Sequence, residues 1–219
     1  MIIYHGSKRI IEKPLIHGSN ERNDYGPSFY MTLDLESAKS WASRNDSLGI
    51  VNKYEIEESS FKSLKILDLT NKTKYSVLNW IAILMHFREL DSTFKINNHL
   101  VLKWLEKYYI DVNDYDVVIG FRADDSYFRF PIRFISNDLS FDDLEDVFMS
   151  GHLGIQYAFM SQKAIDLLKF KGIIECDNRY LGYYYSIINK ASNEFDALLN
   201  RPRDPKKKYI LDLMREEDE

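Results

Sequence analysis

The chain has 219 residues, 45% hydrophobic and 14% aromatic, enough for one domain with a sizeable core or one domain with an appendage. Its formal net charge of −5 excludes a whole-protein field that draws in nucleic acid or an acidic membrane. The single cysteine, Cys176, excludes an intrachain disulfide and a multi-cysteine zinc site, and fits a reducing compartment.

The start carries no secretory pattern, because Met1-Ile2-Ile3-Tyr4 runs at once into His5, Lys8 and Arg9. Residues 1–6 predict a strand that leads into Gly6-Ser7. Residues 8–27, with Gly18, Asn20, Asn23 and Gly26, predict a long loop of the kind often tied to function. Residues 28–32 predict a strand. Asp34 is placed to cap a helix over 35–44 that buries Leu35, Ala38, Trp41 and Ala42. Val51 to Ile56 and Leu64 to Leu69 predict strands. Residues 75–90 predict a helix apolar nearly all round; its run from Val77 to Phe87 is too short to span a bilayer.

Leu100, Val101, Trp104, Leu105 and Tyr108 recur at helical spacing. Tyr115 to Phe121 has the pattern of a buried strand closed by Gly120. Residues 126–136 and 140–149 predict short helices. Ile155 to Met160 predicts a strand, Gln162 to Leu168 a helix, and Gly172 to Cys176 a strand. An aromatic-rich helix follows over 179–199. The run Arg201-Pro202-Arg203-Asp204-Pro205-Lys206-Lys207-Lys208 and the acidic end predict a mobile tail or a partner-binding arm. Strands and helices without βαβ regularity imply an α+β fold, a small and mostly antiparallel sheet core with helical insertions. The expected division is a domain over 1–177 and a C-terminal helix with charged tail over 178–219. A soluble cytoplasmic protein is the expectation.

Four segments offer chemistry. His5, at a strand end beside Gly6 and Ser7, is either a ribose-binding imidazole or a surface histidine. Gly6 has no Cβ, so it either lets a ligand lie against its backbone or makes a turn. Tyr30 alternates with Phe29 and Met31; if those two face the core, its ring faces a cleft and can stack on the cationic nicotinamide of NAD+. The alternative is a half-exposed sheet tyrosine in a chain with 15 of them. Arg122 is suited to clamping a diphosphate. Asp124 and Asp125 either hold a ribose, orient an acceptor, or cap the next helix. Gln156 opens an apolar strand and is otherwise an ordinary edge-strand glutamine. His17, His86, His99 and His152 have no metal-ligand spacing, so no metal site is expected. No Walker A, G-x-S-x-G or G-x-G-x-x-G pattern occurs.

Taken in order over roughly residues 1–175, YHGS, DYGPSFYMT with the following AKSWA helix, GFRADDSYF and LGIQYAFMSQKA resemble a bacterial domain family in the ADP-ribosyltransferase superfamily. The resemblance is to the branch defined by His, then Tyr, then an acidic residue, shared with diphtheria-type toxins and poly(ADP-ribose) polymerases. It implies two small antiparallel sheets packed around an NAD+ cleft. His5 would bind the adenosine-side ribose and the Gly6 backbone the nicotinamide amide, with Ser7 in support. Tyr30 would stack on nicotinamide, and Gln156 stands where the branch usually has its catalytic glutamate.

That departure matters physically. Breaking the nicotinamide–ribose bond builds positive charge on the ribose, which a carboxylate stabilises and a glutamine does not. The resemblance therefore implies modest activity, a carboxylate supplied by Asp124 or Asp125, or NAD+ binding without transfer. It further implies a toxin of a toxin–antitoxin or antiphage system, with an antitoxin as possible partner. The acceptor, a protein or a nucleic acid, would be set by residues 8–27 and 126–150. A third reading gives the C-terminal arm the docking of an antitoxin or RNA.

Overall fold

The computed structural model describes residues 1–16, 21–44, 47–123, 127–149 and 154–218. Two sheets carry the fold. The first has the order β1-β3-β7, from β1 (Ile2–Ser7), β3 (Ile50–Glu55) and β7 (Lys169–Glu175), all antiparallel. The second has the order β2-β6-β5-β4, from β2 (Phe29–Met31), β6 (Ile155–Phe159), β5 (Val117–Phe121) and β4 (Ile66–Asp68). Its one parallel pair is β4 with β5. The sheets meet where Tyr4 and Thr32 exchange two backbone hydrogen bonds of 2.8 and 2.9 Å. Two sheets and interspersed helices make this the α+β class expected.

Alternation sets the faces. Phe29 and Met31 are buried and Tyr30 between them is only partly so, as the period of a strand requires. Helix α1 (Leu35–Ala42) starts where Asp34 accepts hydrogen bonds from the Glu36 and Ser37 amides. It lies so close to β1 that a Cβ on Gly6 would fall 2.1 Å from the Ala38 carbonyl oxygen. Helix α2 (Glu58–Lys62), short and with no buried residue, leaves no apolar stripe to find in the sequence.

The larger core forms behind the second sheet. Helix α3 (Val77–Phe87) starts in a Ser76–Asn79 capping box and buries Val77, Leu78, Trp80, Ile81 and Leu84 there. Helices α4 (Ser92–Asn97) and α5 (His99–Leu105) follow, with Val101 and Leu105 buried. Leu100 is 63% exposed, so the apolar face of α5 is narrower than its sequence spacing suggests. Helices α6 (Arg129–Ile135) and α7 (Phe141–Met149) close this core, and α8 (Gln162–Ile165) follows β6. No helix among the described residues is long and apolar enough to cross a membrane.

The C-terminal segment is docked and so departs from the mobile tail, one of its two expected forms. Helix α9 (Tyr183–Leu199) places Ala191 and Phe195 in the main core, and Phe195 meets Phe130 edge-on at 5.0 Å. Residues 200–209 then lead to α10 (Ile210–Asp218), with Tyr209 and Ile210 buried and the Phe141 amide donating to the Lys208 carbonyl at 2.7 Å. The basic run is occupied as well: Lys207 pairs with Asp143 at 2.6 Å and Lys208 with Glu216 at 2.7 Å. Tyr209 and Ile210, with Leu213 and Met214 packed against the main core, dock the segment, which its charged composition does not reveal.

Candidate functional site

A cleft of about 970 Å³ opens beside the junction of the two sheets, at the upper end of the range for small-molecule sites. Its wall brings together His5 from β1, Tyr30 from β2 and Gln156 from β6. Among the described residues, five basic side chains, Arg9, Lys13, Arg44, Arg88 and Arg122, line it against two acidic ones, Glu12 and Asp24. In a chain of net charge −5 the described wall is locally basic, which suits an anionic ligand.

The His5 ring lies 4.3 Å from the Phe29 ring, and its Nδ1 sits 2.7 Å from the Tyr30 carbonyl oxygen. A carbonyl only accepts, so Nδ1 carries the proton and donates. Burial, the larger cause, and Arg44 hold the imidazole below its ordinary 6.5 against the Tyr30 bond. A neutral ring with Nδ1 protonated leaves Nε2 as a hydrogen-bond acceptor.

The Tyr30 hydroxyl donates to the Gly26 carbonyl at 2.8 Å and accepts from the Tyr25 amide at 3.0 Å. Burial pushes its pKa well up. The phenol thus stays protonated and pinned to the loop, and what Tyr30 can offer a ligand is its ring.

Gly6 borders the cleft through its backbone, while the space its missing side chain leaves is taken by α1. Ser7 is not part of the cleft wall; its hydroxyl donates to the Arg9 carbonyl at 2.6 Å and accepts from the Arg9 amide at 2.8 Å. Arg122 does line the cleft, its guanidinium 4.2 Å from the centre of the Trp41 ring. Asp124 and Asp125 lie outside the described residues.

Gln156 is 8% exposed and sits on an interior strand, not an edge one. Its Nε2 donates to Asp24 Oδ2 at 2.8 Å and to the Phe121 carbonyl at 3.2 Å. Both neighbours are acceptors only, which fixes the amide orientation and leaves Oε1 as the acceptor end. The Phe121 carbonyl also accepts from Trp80 Nε1 at 3.1 Å and the Tyr25 hydroxyl at 2.8 Å. Gly120 makes that last bond possible, since a Cβ there would fall 2.1 Å from the Tyr25 oxygen.

Several wall residues escaped sequence reasoning. Asp24 is 7% exposed, and its Oδ2 also accepts from the Ala123 amide at 2.9 Å. Burial, the largest cause, raises its carboxyl above the ordinary 3.8 despite hydrogen bonds from Ala123 and Gln156 and the charges of Arg88 and Arg122. Its one sequence signal was an acidic residue inside a Gly-Pro turn with no helix to cap. Arg88 follows the apolar helix directly, where a basic residue is ordinarily a helix-end group. Trp41, read as core, instead carries the Arg44 and Arg122 guanidinium groups at 4.1 and 4.2 Å, with Tyr184 of α9 edge-on at 6.1 Å.

The chain belongs to a family described as proteins of unknown function (DUF3990), whose model matches residues 1–170. No curated protein and no solved structure matches it.

Proposed function

We propose that the protein is an NAD+-dependent ADP-ribosyltransferase, acting as a bacterial toxin of a toxin–antitoxin or antiphage system. The observation that carries this reading is the convergence of His5, Tyr30 and Gln156, from three separate strands, on one arginine-lined cleft. The residues suit that substrate. Neutral His5 offers Nε2 to a ribose hydroxyl, the Tyr30 ring offers a face to a cationic nicotinamide, and the arginines offer charge to a diphosphate.

In the reaction the bond between ribose C1′ and nicotinamide N1 breaks, and its electron pair leaves with neutral nicotinamide. Positive charge grows on the ribose, an oxygen or nitrogen of the acceptor then bonds to C1′, and the acceptor's proton passes to solvent. The acceptor is a protein or nucleic acid.

Gln156 supports a second reading, a module that binds NAD+ or ADP-ribose without transfer, since it brings no charge to the ribose. One experiment separates them. Purified protein, adenylate-labelled NAD+ and bacterial lysate are incubated beside His5→Ala and Tyr30→Ala variants. The transferase reading expects nicotinamide release and labelled acceptor, both lost in the variants, and growth arrest on expression that the variants relieve. Intact NAD+ with binding retained selects the binding module. Turnover or arrest unchanged in both variants sinks the transferase reading.

A further inference from the structure

We infer that Asp24 is the carboxylate that faces the ribose of the bound nucleotide, with Gln156 as its holder, so that the negative charge sits on the loop and not on β6. This rests on the transferase reading and names the group that reading lacks.

The two side chains are a matched pair. Gln156 Nε2 donates to Asp24 Oδ2 at 2.8 Å, a contact that a glutamate at 156 would turn into carboxylate against carboxylate. Two such groups in contact share one proton, so an acid at each position leaves the pair with a single negative charge near neutrality. Glutamine at 156 brings an N–H donor and no proton to share, so any charge the pair carries is assigned to Asp24 alone. The uncharged residue on the strand and the buried acid on the loop are one arrangement, not one loss and one accident.

The two oxygens of Asp24 are used unequally. Oδ2 takes the Gln156 and Ala123 donors. Oδ1 meets Arg88 Nη1 at 3.7 Å, beyond hydrogen-bond reach, and among the described residues it takes no hydrogen bond. It is an acceptor with capacity to spare, on a side chain more than nine-tenths buried that lines the same cleft as His5 and Tyr30. A ribose hydroxyl is the donor that such an oxygen suits. The carboxylate takes no proton in the step; it accepts that hydrogen bond more strongly as C1′–N1 breaks and the ribose becomes positive. Little water surrounds it, so the charge acts at a lower effective dielectric than a surface acid would.

The test uses the full-length protein and NAD+ itself. Asp24→Asn, Gln156→Glu and the double variant are compared for nicotinamide release, NAD+ affinity by calorimetry, and thermal melting across pH. Asp24→Asn is expected to lower kcat by about 100-fold or more while NAD+ affinity changes by about threefold or less. Gln156→Glu alone is expected to give no gain. Asp24→Asn with Gln156→Glu, which moves the charge across the same hydrogen bond, is expected to recover at least about tenfold over Asp24→Asn. That recovery separates a charge in the reaction from a structural role, and melting reports any misfolded variant independently of activity. If Asp24→Asn keeps wild-type turnover while Tyr30→Ala abolishes it, the Asp24 inference is wrong and the transferase reading stands. A gain of about tenfold from Gln156→Glu alone overturns it as well. If the wild-type protein neither binds nor cleaves NAD+, both readings fall together.

Discussion

Residues 21–28 and 200–209 are alike on paper and opposite in use. Each is polar, carries proline and aspartate, and is anchored by one buried tyrosine, Tyr25 or Tyr209. In the C-terminal segment charge is met mostly at the surface, the Lys207–Asp143 pair being the partly buried exception. Lys208 and Glu216 pair with more than half of each side chain exposed, and Asp204 accepts from the Lys206 amide at 2.9 Å. In the N-terminal segment the aspartate is buried and hydrogen-bonded by neutral donors, with the Arg88 guanidinium 3.7 Å away, in charge contact but beyond hydrogen-bond reach. Water weakens the first set of charges and is kept from the second. Composition sets how many charges a segment has; burial decides which of them keep a field strong enough for chemistry.

The comparison can be broken most forcefully at the C-terminal anchor. Ile210→Ala removes a fully buried side chain from the main core and should cost about 2–5 kcal/mol in chemical denaturation. A negligible loss would restore the picture of a free arm. Next comes Asp24→Asn as a stability probe. The folded carboxyl titrates above the ordinary 3.8, so the folded state holds the proton more tightly than the unfolded one. Stability is then lost as pH rises from the unfolded value through the folded one. The asparagine variant should melt above wild type at neutral pH, and the gap should close near the unfolded value.

His5 carries the opposite sign. Its folded pKa lies below 6.5, so the unfolded state takes up the proton first as pH falls. The stability it contributes is full above 6.5 and declines below it, toward the lowered folded value. His5→Ala should flatten that part of a melting-against-pH curve; an unchanged slope would assign it elsewhere. The smallest effect belongs to Lys208→Ala, which should change stability by about 0.5 kcal/mol or less, because its partner and it are both half in water.

Much of the frame was legible because it is local. Alternation at Phe29-Tyr30-Met31 sets which ring turns outward, the Asp34 cap marks a helix start, and the apolar run from Val77 carries its own signal. Asp24 was not legible, because its role comes from groups 99 and 132 residues away in the chain, the Ala123 amide and the Gln156 side chain. Gln156 as an edge residue failed for a related reason: strand order is a property of the whole sheet. Trp41 looked like core because helical spacing reports a buried face without saying whether apolar groups or guanidinium groups cover it.

That covering gives the cleft an optical reporter. Of the three tryptophans, Trp80 is sealed in the main core and Trp104 is partly buried against it, while Trp41 alone lines the cleft under two guanidinium groups. An anion that draws Arg44 or Arg122 toward itself lifts a cation off the indole, and the emission of Trp41 shifts with it. A titration can then be followed by intrinsic fluorescence, with no label attached and no turnover required.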